Sequence, residues 1–312
     1  AILFVLALAA CFASLSDAEA ANWPSVRERA MSMREAGRAS EAYSLAARWN
    51  GGGAAHRFDA SFVAGWIALR NLRRPDVALT HFRQMAALAG GLRPHERDPG
   101  KAKAGYWLGR ALRDLGKRPE AAQMFRVSAA YPTTFYGQLA ASEAGIRLTR
   151  DLVGPHAASY PSKELYWFDR RVKRELVLAV IKEESNFRQS ANSSKAARGM
   201  MQVLDDTARL VGRQAGVNVD IRLMRSNADY NIAVGSRYLA DQFSAYRGNA
   251  MLAAAAYNAG PHRVDDWLAR FGDPRGNASD PVDWAESIPF HETRAYVQKV
   301  LSSFMVYLAL GE

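Results

Sequence analysis

Two kinds of apolar pattern run along this chain. From about residue 24 to residue 145, apolar positions recur every three or four residues, the period of an amphipathic helix. Leu108, Ala111, Leu112 and Leu115 make one such stripe, and Ala122, Phe125 and Ala129 make another. Three segments here, residues 35–42, 72–78 and 115–122, share small residues, a polar turn and an Ala-rich second helix. Their spacing is about 36 and then about 43 residues, close to that of tetratricopeptide-like helix pairs. Each helix is expected to bury its stripe on the next pair, giving a curved helical stack. Trp66, Tyr106, Trp107 and Phe125 are read as core of that stack rather than as a ligand surface.

The second pattern begins after a break. Residues 151–162 hold Gly154, Pro155, Ser159 and Pro161 without helical periodicity and read as a linker. From residue 165 to 310 the helical period returns, and no window alternates with the two-residue period of a strand. Residues 176–181 are apolar on every side, which marks a helix central to its domain. A last helix from about Thr293 carries Tyr296, Val297, Val300, Leu301, Phe304, Met305 and Leu308 on its core stripe. The expected fold is all-α, with a helical-repeat stack over residues 21–150, a linker over 151–162 and a second helical domain over 163–312.

Charge narrows the partners. A formal net charge of +10 favours polyanions. No Lys/Arg-rich block is interleaved with aromatics, so a cell-wall polyanion is expected and a nucleic acid is not. The apolar run over residues 2–13 is too short to span a bilayer and leads to Ala18-Glu19-Ala20, as in a secretory signal peptide cleaved near residue 20. This predicts a periplasmic protein. An alternative is lipidation at Cys11, since Leu8-Ala9-Ala10-Cys11 has the form of a lipobox. Cleaved near residue 20, the mature chain would have no cysteine and no thiol chemistry.

The candidate chemistry sits where the central helix ends, at Glu183-Glu184-Ser185. Glu184 shares a face with Val177, Val180, Ile181 and Phe187, so desolvation and the negative helix end would both raise its pKa. A glutamic acid held partly protonated near neutral pH suits the cleavage of a glycosidic bond, whose leaving oxygen needs a proton. A solvated helix end is the alternative that the local sequence leaves open. Histidines 56, 81, 95, 156, 262 and 291 are scattered without ligand spacing, and no phosphate loop or Gly-x-Ser-x-Gly turn occurs. No metal and no cofactor is expected.

Four blocks carry a family resemblance: Ile181 to Phe187; Gly199-Met200-Met201-Gln202; Ala256-Tyr257-Asn258-Ala259-Gly260; and Glu286-Ser287-Ile288-Pro289-Phe290 with Glu292-Thr293-Arg294. In this order they resemble the soluble lytic transglycosylases related to goose-type lysozyme. The segment Tyr131 to Gly137 resembles the end of that family's helical region. The resemblance implies a lysozyme-like catalytic domain cleaving peptidoglycan glycan strands, with Glu184 as acid and then base. It also implies that Ser185, Ser193, Gly199, Met201, Gln202, Tyr257, Asn258, Glu286 and Tyr296 surround the sugar. Gly199 would allow close approach of backbone, Met201 would form an apolar wall, and Gln202 would bond a sugar amide or hydroxyl. Without the resemblance, Tyr257 reads as a buried tyrosine bonded to a carbonyl, and Glu286 as a solvated loop carboxylate. Glu292 and Arg294 are expected either to pair with each other or to touch substrate.

One departure matters. Where the family continues from Gln with a nearby Pro, this chain has Val203-Leu204-Asp205-Asp206-Thr207. Asp206 and Thr207 are expected to cap the next helix. If Asp205 or Asp206 instead held a water, the protein would be a lysozyme-type hydrolase. A non-catalytic wall-binding scaffold is the third reading, and the helical stack could also dock cell-wall synthesis or remodelling proteins.

Overall fold

The computed structural model describes residues 22–194 and 196–311. The proposed signal segment and Cys11 lie outside the described residues. Among the described residues every regular element is a helix, and backbone pairing is confined to the bridges Asn192–Arg198 and Arg198–Val203. No described helix is long and apolar enough to cross a membrane. The chain divides into two compact units between Ala130 and Tyr131.

The first unit holds α1 (Trp23–Glu35), α2 (Ala39–Arg48), α3 (Ala54–Arg70), α4 (Pro75–Leu88), α5 (Pro94–Asp114) and α6 (Arg118–Ala129). Each packs mainly on its neighbours in sequence. The turns after α1, α3 and α5 each contain a left-handed residue, Gly37, Arg73 and Gly116. This is the usual way to end a helix, and glycine adopts it at least cost. A packing contact recurs as well. A Cβ added at Gly65 of α3 would lie 2.6 Å from Phe82 of α4, and one at Gly109 of α5 would lie 2.5 Å from Phe125 of α6. In both pairs the missing side chain lets a phenylalanine ring lie against helix backbone. Trp66, Tyr106, Trp107 and Phe125 are all buried, as expected.

The second unit holds α7 (Phe135–Glu143), α8 (Arg150–Val153), α9 (Arg174–Ser185), α10 (Asp205–Ala215), α11 (Ile221–Ser226), α12 (Ala228–Ala245), α13 (Ala250–Ala259), α14 (Pro261–Phe271), α15 (Pro281–Ser287) and α16 (His291–Leu310). Every residue from Leu176 to Ile181 on α9 is buried, which explains its apolar character on all sides. The long α16 lies against α9 and α13 and is also touched by α7, α8 and α15.

The division at residue 130 falls ahead of the linker read from the sequence. Residues 131–150 are tied to α16, with Gln138 Nε2 donating to the Ser302 carbonyl at 2.9 Å and Arg150 donating to the Leu310 carbonyl. Residues 151–162 are packed rather than free. Val153 is buried with Val306 and Leu310, and the Tyr307 hydroxyl donates to the Pro161 carbonyl at 2.7 Å. A few apolar anchors suffice to hold a segment whose Gly and Pro content otherwise marks a linker.

Candidate active site

Helix α9 ends in two consecutive left-handed residues, Asn186 (φ 50°) and Phe187 (φ 62°). Asparagine tolerates this conformation, whereas for a bulky phenylalanine it is a strained one. Strain of this kind persists only where the surroundings over-determine it. The surroundings here are a tight turn locked to the helix end. The Ser185 hydroxyl hydrogen-bonds the carbonyls of Met200 (2.8 Å) and Ile181 (3.2 Å). Gln189 accepts from the Met200 N–H at 3.1 Å and donates to the carbonyls of Met224 and Arg225.

The turn is built around Gly199 (φ 80°) and Gln202 (φ 47°), between the paired backbones of Arg198 and Val203. Asn231 of α12, fully buried, holds it from below. Its side chain accepts from the Met201 N–H at 2.9 Å and donates to the carbonyls of Arg198 and Met224. A Cβ on Gly199 would lie 2.4 Å from the Asn231 amide, so close packing and positive φ both require glycine.

Glu184 stands at this junction, half-buried. Its carboxyl is pushed up to about 7, chiefly by burial. The Tyr296 hydroxyl acts against the shift, and the charges of Glu183 and Glu292 add to it. The Tyr296 oxygen is buried and makes no hydrogen bond of ordinary geometry among the described residues, although it is near enough to Glu184 for each to shift the other. Burial and then the Glu184 charge push the hydroxyls of Tyr257 and Tyr296 well above the usual tyrosine range, so both stay protonated. Glu183 is engaged elsewhere, accepting from Ser303 Oγ at 2.8 Å and pairing with Lys182 at 2.9 Å. Two carboxylates side by side thus have separate environments.

The structure brings Glu184, Tyr257 and Tyr296 together and places Ser185, Gly199, Met201 and Gln202 beside them as framework. Several expected roles change. The Met201 side chain is fully buried against Gly235 rather than forming a groove wall, and its backbone does the local work. The Gln202 amide donates to the carbonyls of Ala191 and Gly199, both at 2.9 Å, so its N–H groups close the turn instead of waiting for a sugar. The Tyr257 hydroxyl donates to the Met201 carbonyl at 2.7 Å, the arrangement that its local sequence alone suggested. Asn258 accepts from Thr293 Oγ1 at 2.7 Å and ties α13 to α16. Ser193 is exposed and accepts from the Ala197 N–H, closing the loop ahead of the turn.

Glu286 departs furthest from the sugar contact and from the solvated loop alike. It is fully buried, accepts from the Tyr136 hydroxyl and from Gln298 Nε2, and lies 4.0 Å from Arg294. Arg294 thus lies against Glu286, whereas Glu292 is exposed. Asp205 and Asp206 occupy the first turn of α10 without capping it. Asp205 pairs with Arg225 at 2.6 Å, and Asp206, with its side chain 96% exposed, pairs with Arg209 at 2.8 Å. Among the described residues no three His, Cys, Asp or Glu side chains gather as metal ligands would. Asn231 and Gln189, which hold the turn, have no individual signal in the sequence.

Comparison with known proteins shows what the chain is similar to. Residues 168–279 match the family model of the transglycosylase SLT domain. The soluble lytic murein transglycosylase of Escherichia coli K12 is 33% identical over 140 residues, 44% of this chain and 21% of the relative. That of Salmonella typhimurium LT2 is 34% identical over 139 residues, again 44% and 21%. The chain thus matches about a fifth of the length of these curated relatives. By fold it is similar to the 70 kDa soluble lytic transglycosylase SLT70 of Escherichia coli, with TM-score 0.58 at 17% identity over 93% of this chain and 73% of that one. A complex of the 70-kDa soluble lytic transglycosylase with bulgecin A gives 0.51 at 18% identity, covering 92% and 51%. The all-α architecture is that of these structures, and within it residues 168–279 are similar to the transglycosylase SLT domain.

Proposed function

We propose that the protein is a peptidoglycan lytic transglycosylase in which Glu184 is both acid and base. The observation that carries this reading is a carboxyl raised to about 7 at a helix end, beside two buried tyrosine hydroxyls. Protonated Glu184 would give its proton to the oxygen of the β-1,4 bond between MurNAc and GlcNAc as the sugar gains oxocarbenium character. The resulting carboxylate would then take the proton of the MurNAc 6-hydroxyl, whose oxygen closes a 1,6-anhydro ring. Acid and base are one group, so no second protein carboxylate is needed. Tyr296 would donate to the carboxylate as its charge changes, while Tyr257, bonded to the Met201 carbonyl, fixes the turn beside it.

The pairing of Asp205 and Asp206 with arginines speaks against the hydrolytic alternative through those residues. Glu292, exposed and close enough to raise Glu184, is the carboxylate on which hydrolysis would instead depend. Product analysis separates the two, because transglycosylase fragments are one water lighter than hydrolytic ones. Glu184→Gln is expected to lose at least ~10²-fold in rate, and full activity in that variant would refute the mechanism. The rate should also fall about tenfold per pH unit above pH 7, as the acid form of Glu184 is depleted. A flat profile to pH 9 would contradict the assignment. Peptidoglycan lies outside the cytoplasmic membrane, so this reading requires export, which the apolar run and small-residue site before residue 21 support.

A further inference from the structure

At the other end of α9 from Glu184, residues 166–170 present a surface that the cleavage chemistry does not use. Tyr166 and Trp167 are 64% and 71% exposed. Among the described residues neither ring packs on another ring and neither polar end has a partner. They line a shallow concavity of about 440 Å³ with Phe168, Asp169, Arg170 and Arg237. The carboxylates are already engaged. Asp169 binds Arg171 at 2.7 Å and lies 3.6 Å from Arg237, while Asp241 binds Arg171 at 2.8 Å and lies 3.4 Å from Arg237. Arg170 differs. Its guanidinium stacks on Phe168 at 4.4 Å and has no carboxylate partner among the described residues.

We infer that this surface is an accessory binding site for an acidic, N-acetylated glycan strand, resting on the substrate class proposed above. Exposed aromatic rings offer flat apolar faces for the C–H faces of sugar rings, with a polar tip left for hydroxyls. Arg170 supplies a free cation for a carboxylate carried on the glycan or its peptide. A protein partner, which aromatic residues and Arg would also suit, is tested against by sedimentation with purified glycan alone. The surface precedes α9 in the chain, and the helix from Arg174 to Glu184 is itself roughly 15 Å long. A polymer is long enough to touch both, so the second contact would hold the strand near the acid through effective concentration.

Co-sedimentation of the Glu184→Gln protein with insoluble peptidoglycan tests the inference without turnover. Adding Trp167→Ala or Tyr166→Ala is expected to weaken sedimentation about tenfold, while Trp167→Phe keeps most of it. Arg170→Ala should weaken binding to peptidoglycan and reduce its salt dependence, yet leave binding to chitin, an uncharged N-acetylated glycan, unaffected. Unchanged sedimentation in the alanine variants overturns the site. Weakened sedimentation with a lowered melting temperature assigns the effect to the fold and also overturns it. If the Glu184 mechanism fails on product analysis, the sedimentation result still stands or falls independently.

Discussion

The proton of Glu184 links chemistry to stability. Its folded pKa of about 7 exceeds the ordinary value of 4.5, so between these pH values the folded state binds more protons than the unfolded chain. Stability from this group therefore declines as pH rises from about 4.5 to about 7, and its full cost remains above that. At ~1.4 kcal/mol per unit, discounted for residual exposure, the cost is about 2 kcal/mol. Glu184→Gln cannot ionise and should gain about 2 kcal/mol relative to the parent between pH 5 and pH 8, read from urea melts. An equal difference at both pH values would argue against a desolvated carboxyl. Gly199→Ala combines a left-handed alanine with a clash on a buried, fully bonded amide, and should cost about 2–4 kcal/mol in the same assay. Glu184 was singled out by the apolar run of residues 176–181 together with the order of motifs, since the local sequence alone left a solvated helix end open. Asn231 was not, since one polar residue in a helix reads as its solvent face until the partner backbone is seen.

At the scale of elements, the α15–α16 corner shows what local sequence cannot convey. Glu286 reads as a loop carboxylate from its neighbours, yet Tyr136, which lies 150 residues earlier in the chain, donates to it. Buried charges need partners, and here these come from α7 and two positions on α16. Removing the carboxylate would take the buried acceptor from Tyr136 and Gln298 and a charge partner from Arg294. Glu286→Ala should accordingly destabilise the protein by about 3–5 kcal/mol in thermal or chemical melts. Any activity loss should follow the unfolded fraction and disappear at low temperature. A variant that melts normally but cannot cleave would return Glu286 to the substrate. The turn after α9 shows the same limitation. Its Gly-Met-Met-Gln sequence marks the place, but the tasks of Gln202 and Met201 depend on Ala191, Asn231 and Gly235.

For the whole molecule, the boundary at residue 130 has a testable consequence. A chain beginning at Tyr131 keeps α7, Val153 and the contacts to α16, and is expected to melt cooperatively. One beginning at Lys163, just after the expected linker, loses Tyr136, Gln138 and Val153 together. The loss should exceed ~4 kcal/mol and lower the melting temperature by about 10 °C for a unit of this size. Equal melting temperatures would place the working boundary at the linker after all.

Sequence periodicity by itself determined the all-α class, the central position of α9 and the burial of its apolar run, because these depend on spacing along one helix. The order of short motifs likewise marked the helix end that carries Glu184. Only the tertiary structure decided which polar groups face the acid and which serve as internal fastenings. That choice rests on hydrogen bonds and burial between residues far apart in the chain, and a buried polar group is defined by its partner rather than by its neighbours.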